Sequence, residues 1–135
     1  MTMNQLSVFM ENKAGQLAQV CKALAANDLQ LVALSIAETQ DFGIARLIVD
    51  DGAKAESVLK TAGFLVRTTK VVGVTVPDVP GGMSQVVTTL SDKGCDIEYS
   101  YAFAKDDKAV LVFRFKDEAK AEAALAAAGF TTTQA

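Results

Sequence analysis

The residues best placed to do chemistry form a short run, Glu11-Asn12-Lys13-Ala14-Gly15-Gln16-Leu17, between an alternating strand pattern and an amphipathic helical one. A glycine where a strand turns into a helix lets the main chain approach a ligand closely. The helix start offers unpaired N–H groups and a dipole favourable to an anion. The chemistry this suits is recognition of a carboxylate. Asn12 stands three residues before Gly15, where a short polar side chain can cap the helix or hold a ligand amino group. Capping is the simpler reading. The same strand-to-helix position recurs as Pro77-Asp78-Val79-Pro80-Gly81-Gly82-Met83, with Gly81 66 residues after Gly15. Neither run carries the Gly-x-x-x-x-Gly-Lys-Ser/Thr phosphate loop, and Pro80-Gly81-Gly82 is too short for a dinucleotide fingerprint. Lys13 is matched by Val79 and reads equally as an anion contact or as solvated surface.

Other chemistries are narrowed by what the chain lacks. It has no histidine, which removes the commonest general base at neutral pH and the commonest metal ligand. No pair of acids stands at a suggestive spacing, so no catalytic residue, metal site or cofactor is expected. Cys21 and Cys95 are too few and too far apart for a disulfide framework or a zinc site. Cys21 shares a helical spacing with Leu17, Val20 and Leu24, which reads as core packing. Asp106 and Asp107 read as turn formers at a hairpin tip. A net charge of −3 with a pI near 4.9 gives no electrostatic reason to expect nucleic acid. No apolar run reaches the roughly 18 to 20 residues of a membrane-spanning helix, and the start lacks a basic signal-peptide region, so a cytoplasmic protein without a membrane partner is expected.

Half of the 135 residues are apolar and 21% are charged, a composition that folds around a core. Leu6, Val8 and Met10 alternate with Gln5, Ser7 and Phe9, predicting a first strand. A helix over residues 14–26 follows, then a hairpin of 29–39 and 44–49 around Gln40-Asp41-Phe42-Gly43, a helix over 53–62 and a fourth strand that Phe64 to Val66 opens. The second half repeats this order: strand 71–76, helix 80–92 with Met83, Val86, Val87 and Leu90 inward, strands 96–104 and 109–115, helix 117–128, and a short closing strand after Gly129. Under the single offset of 66, Gln19-Val20 matches Gln85-Val86, Ala53-Lys54-Ala55-Glu56 matches Ala119-Lys120-Ala121-Glu122, and Ala62-Gly63-Phe64 matches Ala128-Gly129-Phe130. No insertion is needed, and duplication is the simplest account.

The expected fold is therefore α+β: two tandem ferredoxin-like βαββαβ domains, residues 1–69 and 70–135, each an antiparallel sheet with both helices on one face. The boundary falls near Thr68 to Val71 with no flexible linker. Phe9, Val32, Leu34, Ile44, Tyr99, Tyr101 and Phe113 are more apolar side chains than one helix-covered face uses, so the open face is expected to be covered by domain pairing or dimer formation.

Asn-x-x-Gly or Asp-x-Pro-Gly-Gly after a strand, with a helix ending in Leu-Ser-Asp-Lys-Gly-Cys-Asp-Ile-Glu (Leu90 to Glu98), resembles the ACT-domain family of small-molecule sensors. Two copies cover essentially the whole chain, as in a stand-alone tandem ACT protein. The resemblance implies amino-acid binding at interfaces between ACT units and feedback control of metabolic enzymes. It carries over onto Asn12, Ala14, Gly15, Gln16 and Leu17, and onto Asp78, Pro80, Gly81, Gly82 and Met83. It also points to the start of each second strand, Gln30 and Leu31 in one copy and Asp96, Ile97 and Glu98 in the other, where a neighbouring unit's loop would meet it. The first copy has Ala14 where a proline commonly stands. The function implied is a non-catalytic amino-acid-binding regulator, a homo-oligomer (dimer) with a metabolic enzyme as a partner. The alternative is an interaction module that dimerises through its sheets without a small ligand.

Overall fold

The structure, a computed structural model, describes residues 3–133. In chain order the elements are β1 (Met3–Glu11), α1 (Gln16–Ala26), β2 (Leu31–Glu38), β3 (Phe42–Val49), α2 (Gly52–Thr61), β4 (Leu65–Pro77), α3 (Gly82–Asp92), β5 (Ile97–Lys105), β6 (Lys108–Phe115), α4 (Glu118–Ala127) and β7 (Thr131–Thr133). The chain divides into two units, one spanning Asn4–Thr69 and the other running from residue 70 onward. Strand order is β2-β3-β1-β4 in the first and β7-β4-β6-β5 in the second, and the pairings of β1 and β2 with β3, and of β4 and β5 with β6, are antiparallel. Both units are ferredoxin-like βαββαβ folds, as the repeat predicts.

Each unit has its own core on the helix-covered sheet face. The first packs Leu6 and Val8 of β1 and Ala45, Leu47 and Val49 of β3 against Val20 and Leu24 of α1 and Ala55 and Leu59 of α2. The second packs Val72, Val74 and Val76 of β4 and Leu111, Phe113 and Phe115 of β6 against Val86, Leu90, Ala121 and Leu125. All four helices end alike. The amides of Leu29, Phe64, Cys95 and Phe130 donate to the carbonyls of Leu24, Leu59, Leu90 and Leu125 five residues earlier, at 2.9 to 3.1 Å. This six-to-one closure satisfies an otherwise orphaned carbonyl and sets an apolar residue beyond the helix beside the leucine within it. Lys54 Nζ also donates to Asn27 O at 2.8 Å, and Lys120 Nζ to Gly94 O at 3.0 Å, placing a cation at the end of the preceding helix in both units. In the first unit Glu56 accepts from Lys60 and from Thr68 of β4, two bonds that hold its carboxyl below the ordinary range.

Several expectations are corrected. β4 runs without a break through the expected boundary, because Arg67-Thr68-Thr69-Lys70 contains β-branched residues and no glycine or proline to stop a strand. Phe113 lies in the helix-covered core and is no surplus residue on the other face. On the face away from the helices, where cover was expected, Gln5, Ile48, Val71, Val110 and Val112 are buried. Cys21 is exposed, since the buried stripe of α1 centres on Val20 and Leu24 and leaves the next residue, about 100° round the helix, outside. Met83 is 47% exposed at the start of α3, not inward. No helix among the described residues is long and apolar enough to cross a membrane.

Asp51 and Asp117 cap α2 and α4, each accepting from the third helical amide, Lys54 or Lys120, at 3.1 Å. Asp51→Ala and Asp117→Ala should each lower the unfolding free energy by about 1 kcal/mol, measured by urea denaturation.

Candidate functional site

The two strand-to-helix turns are built by the same bonds. Lys13 N donates to Glu11 O at 2.9 Å and Gln16 N to Lys13 O at 3.4 Å; Val79 N donates to Pro77 O at 2.9 Å and Gly82 N to Val79 O at 3.1 Å. Gly15 (φ 91°) and Gly81 (φ 88°) then turn left-handed, and each carbonyl accepts the first full helical bond, from Gln19 and Gln85. The left-handed turn explains why glycine stands at both positions. Among the described residues, the amides of Leu17 and Ala18, and of Met83 and Ser84, have no acceptor, so each helix start presents two unpaired donors.

Neither Asn12 nor Asp78 caps its helix by a side-chain bond. Capping, the simpler sequence reading, is thereby overturned. Asn12 instead bridges the turn to the β2–β3 hairpin: its amide donates to Asp41 O at 3.0 Å, and Nδ2 donates to Glu38 Oε2 at 3.2 Å. The residue matching Glu38 in the second unit is Ala104, and Asp78 replaces Asn12. Of these two matched positions, the one that carries a carboxylate is on the hairpin in the first unit, Glu38, and on the turn in the second, Asp78. Lys13 pairs with Glu11 at 2.9 Å, with both side chains largely exposed.

The second glycine, Gly82, has a different reason. A Cβ there would stand 2.7 Å from the Pro77 carbonyl, closer than side chains approach backbone, so α3 starts pressed against the end of β4. The matching Gln16 shows that the first turn has more room at this position. A Cβ at Gly81 would meet nothing within 4 Å, so the approach to the turn is open there.

Within one unit the sequence-derived residues are not all together. Glu11 pairs with Phe42 at one end of β3 and Leu31 with Val49 at the other, and likewise Pro77 with Lys108 and Ile97 with Phe115. Seven residues at ~3.3 Å per residue separate each pair of ends by roughly 23 Å. Gln30 and Leu31, and Asp96, Ile97 and Glu98, are therefore remote from their own unit's turn. Gln30 is held locally, its amide donating to Asp50 Oδ1 at 3.0 Å, and Glu98 lies 3.5 Å from Arg114.

Sequence reasoning missed what lies beside the first turn. A cavity of about 230 Å³, mostly apolar, is lined by Phe9, Met10, Ala37, Phe42 and Ile44 with Glu38 and Thr39. A more polar depression along Glu11, Asn12, Lys13, Gln40 and Asp41 shares Phe42 with it. Phe9 and Ile44 were legible as surplus apolar residues. The signal for the cavity was the comparison of the two copies, in which Phe103 stands where the first has Ala37.

A family model described as an ACT domain pair matches residues 1–129. The chain belongs to the ACT-domain family. A crystal structure of a protein from Bacteroides thetaiotaomicron is similar at 42% identity, covering 98% of this chain and 92% of that one, with a TM-score of 0.92. The regulatory subunit of aspartate kinase from Thermus thermophilus, in a ligand-free form, shares the fold at 19% identity and a TM-score of 0.67 over 93% of this chain and 89% of its own. The corresponding subunit from Thermus flavus gives 18% and 0.64, over 92% and 88%. A comparison with curated proteins gives no match.

The two glycines of the second ACT turn should respond differently. Gly82→Ala must move backbone and should cost about 1–3 kcal/mol, whereas Gly81→Ala meets only left-handed strain of about 1–2 kcal/mol. Paired denaturation curves check this, and only Gly82→Ala should also change the near-ultraviolet circular dichroism of the folded state.

Proposed function

We propose that this ACT pair is a non-catalytic regulator that binds an amino acid at its strand-to-helix turns and transmits occupancy through altered contacts between ACT units or with a partner enzyme. The observation that carries the reading is the unpaired donors behind each left-handed glycine, Leu17 and Ala18 behind Gly15, Met83 and Ser84 behind Gly81. Such donors suit an α-carboxylate. The α-ammonium goes to a carboxylate at the same junction, Glu38 in one unit and Asp78 in the other. Strand-two residues Gln30, Leu31, Asp96, Ile97 and Glu98 complete a site only from a neighbouring unit, which makes a homodimer part of the proposal. The Thermus aspartate kinase proteins that share the fold are regulatory subunits, which supports regulation over catalysis. Cytoplasmic location and a metabolic enzyme as the regulated partner belong to the same reading.

A second reading, dimerisation without a small ligand, is favoured by edge strand β2, which exposes Leu34 (39%) and Ile36 (46%). Titration calorimetry with the twenty amino acids separates the two. At least one should bind more tightly than about 1 mM, roughly −4 kcal/mol, and silence from all twenty with a stable dimer would favour the second. Gly81→Val should abolish binding at the second turn and Lys13→Ala should change little; equal loss from both would contradict a main-chain cradle.

A further inference from the structure

We infer that the second unit has an anion site away from its strand-to-helix turn, in which the amides of Asp96 and Asp117, backed by Lys116, hold a monovalent carboxylate supplied from outside the chain. The inference goes beyond the amino-acid reading and does not need it, because the donors are not those of either turn.

The first unit shows what the matching amides hold. Gln30 N and Asp51 N both donate to one atom, Asp50 Oδ1, at 3.0 and 2.9 Å, so an anionic oxygen sits where the entry to β2 meets the approach to α2. The residue matching Asp50 in the second unit is Lys116. The anion has been exchanged for a cation. Asp96 N and Asp117 N match the two donors and, among the described residues, have no acceptor.

The frame around these donors is otherwise the same in both units. Lys116 N donates to Asp96 O at 3.2 Å, as Asp50 N does to Gln30 O at 3.2 Å. Asp117 caps α4 and Asp51 caps α2, each at 3.1 Å. Cys95 N and Leu29 N close the preceding helices by the same bond. A frame held by the same bonds keeps the two amides aimed as in the first unit, where both reach one oxygen. They are not the spare donors of a helical first turn: Asp96 leads into β5, and Asp117 is itself the capping residue of α4.

Charge selects the guest. A polar depression of about 500 Å³ has Asp96, Lys116, Asp117, Glu118 and Lys120 in its lining. Most of these charges are already engaged: Asp117 accepts from Lys120 N, Lys120 Nζ donates to Gly94 O, and Glu118 lies 4.0 Å from Arg114. Lys116 is exposed and, among the described residues, in no ion pair. Two amides and one ammonium match one negative charge. Three carboxylates in the same lining repel a second, which favours a carboxylate over a dianion such as sulfate.

The test follows the backbone amide resonances of the full chain by NMR while sodium acetate, or sodium sulfate, replaces sodium chloride at constant ionic strength. In wild type the Asp96 and Asp117 amides should shift saturably with acetate, half-way below about 0.1 M, and sulfate should bind no more tightly. Lys116→Asp restores the residue that the first unit has at this position. It should move the same two resonances in the acetate direction with no acetate present, and abolish their titration. Lys116→Gln should weaken acetate binding about two- to fivefold, the range of one exposed ion pair. The unchanged remainder of each spectrum verifies that the variants fold, and the wild-type titration stands without them. Absence of a saturable shift at these two amides, or a titration that Lys116→Asp leaves unchanged, overturns the site. Tighter binding of sulfate overturns its assignment to a carboxylate. Acetate shifts confined to Leu17, Ala18, Met83 and Ser84 overturn the site while supporting the turns as carboxylate cradles. Shifts at Asp96 and Asp117, in a protein that binds none of the twenty amino acids, support the site and overturn the sensor reading.

Discussion

Four leucines hold the geometry of this protein together. Leu24, Leu59, Leu90 and Leu125 are each at most 2% exposed, and each accepts through its carbonyl the amide that closes its helix. One residue thus fixes both where a helix stops and how deeply it is seated on the sheet. A unit of about 65 residues has little core to spare, so coupling these two constraints limits how far each helix can slide. Since the chain leaves each helix directly for a strand, the same leucines govern strand entry and, through the ladder, the register that brings the hairpin beside the turn.

Much of this was legible because it rests on period and repetition. Alternation in Gln5 to Met10, the helical spacing of Val20 and Leu24, and the constant offset between the halves are sufficient for the two βαββαβ units. The errors arose where spacing leaves a choice of face or a choice of ending. Cys21 and Met83 lie at the margins of their helical stripes, where one residue's rotation separates core from solvent. Phe113 alternates correctly but on the face opposite to the one assumed. The break expected before Val71 presumed that a domain boundary interrupts a strand, and nothing in Arg67 to Lys70 compels an interruption.

The site was less readable than the fold. Left-handed glycines have a local cause and declare themselves in sequence, which is why Gly15 and Gly81 were recognisable. Gly82 looks identical on paper, yet its cause is the nearby Pro77 carbonyl, a tertiary contact. The partnership of Asn12 with Glu38 spans 26 residues and depends on ladder register, so no local pattern announces it. What sequence does contain is the disagreement between copies, among them Asn12 against Asp78, Ala37 against Phe103 and Glu38 against Ala104.

The exchange of acid between turn and hairpin bears on how the halves came to differ. Starting from the pairing of Asn12 with Glu38, reaching the arrangement of Asp78 with Ala104 takes two substitutions. Making Asn12→Asp first sets two anions within contact distance, while making Glu38→Ala first leaves these two positions uncharged and the amide without its acceptor. Either intermediate is electrostatically unlike both ends, so once the duplicated halves had diverged here, neither could drift back by a single neutral step.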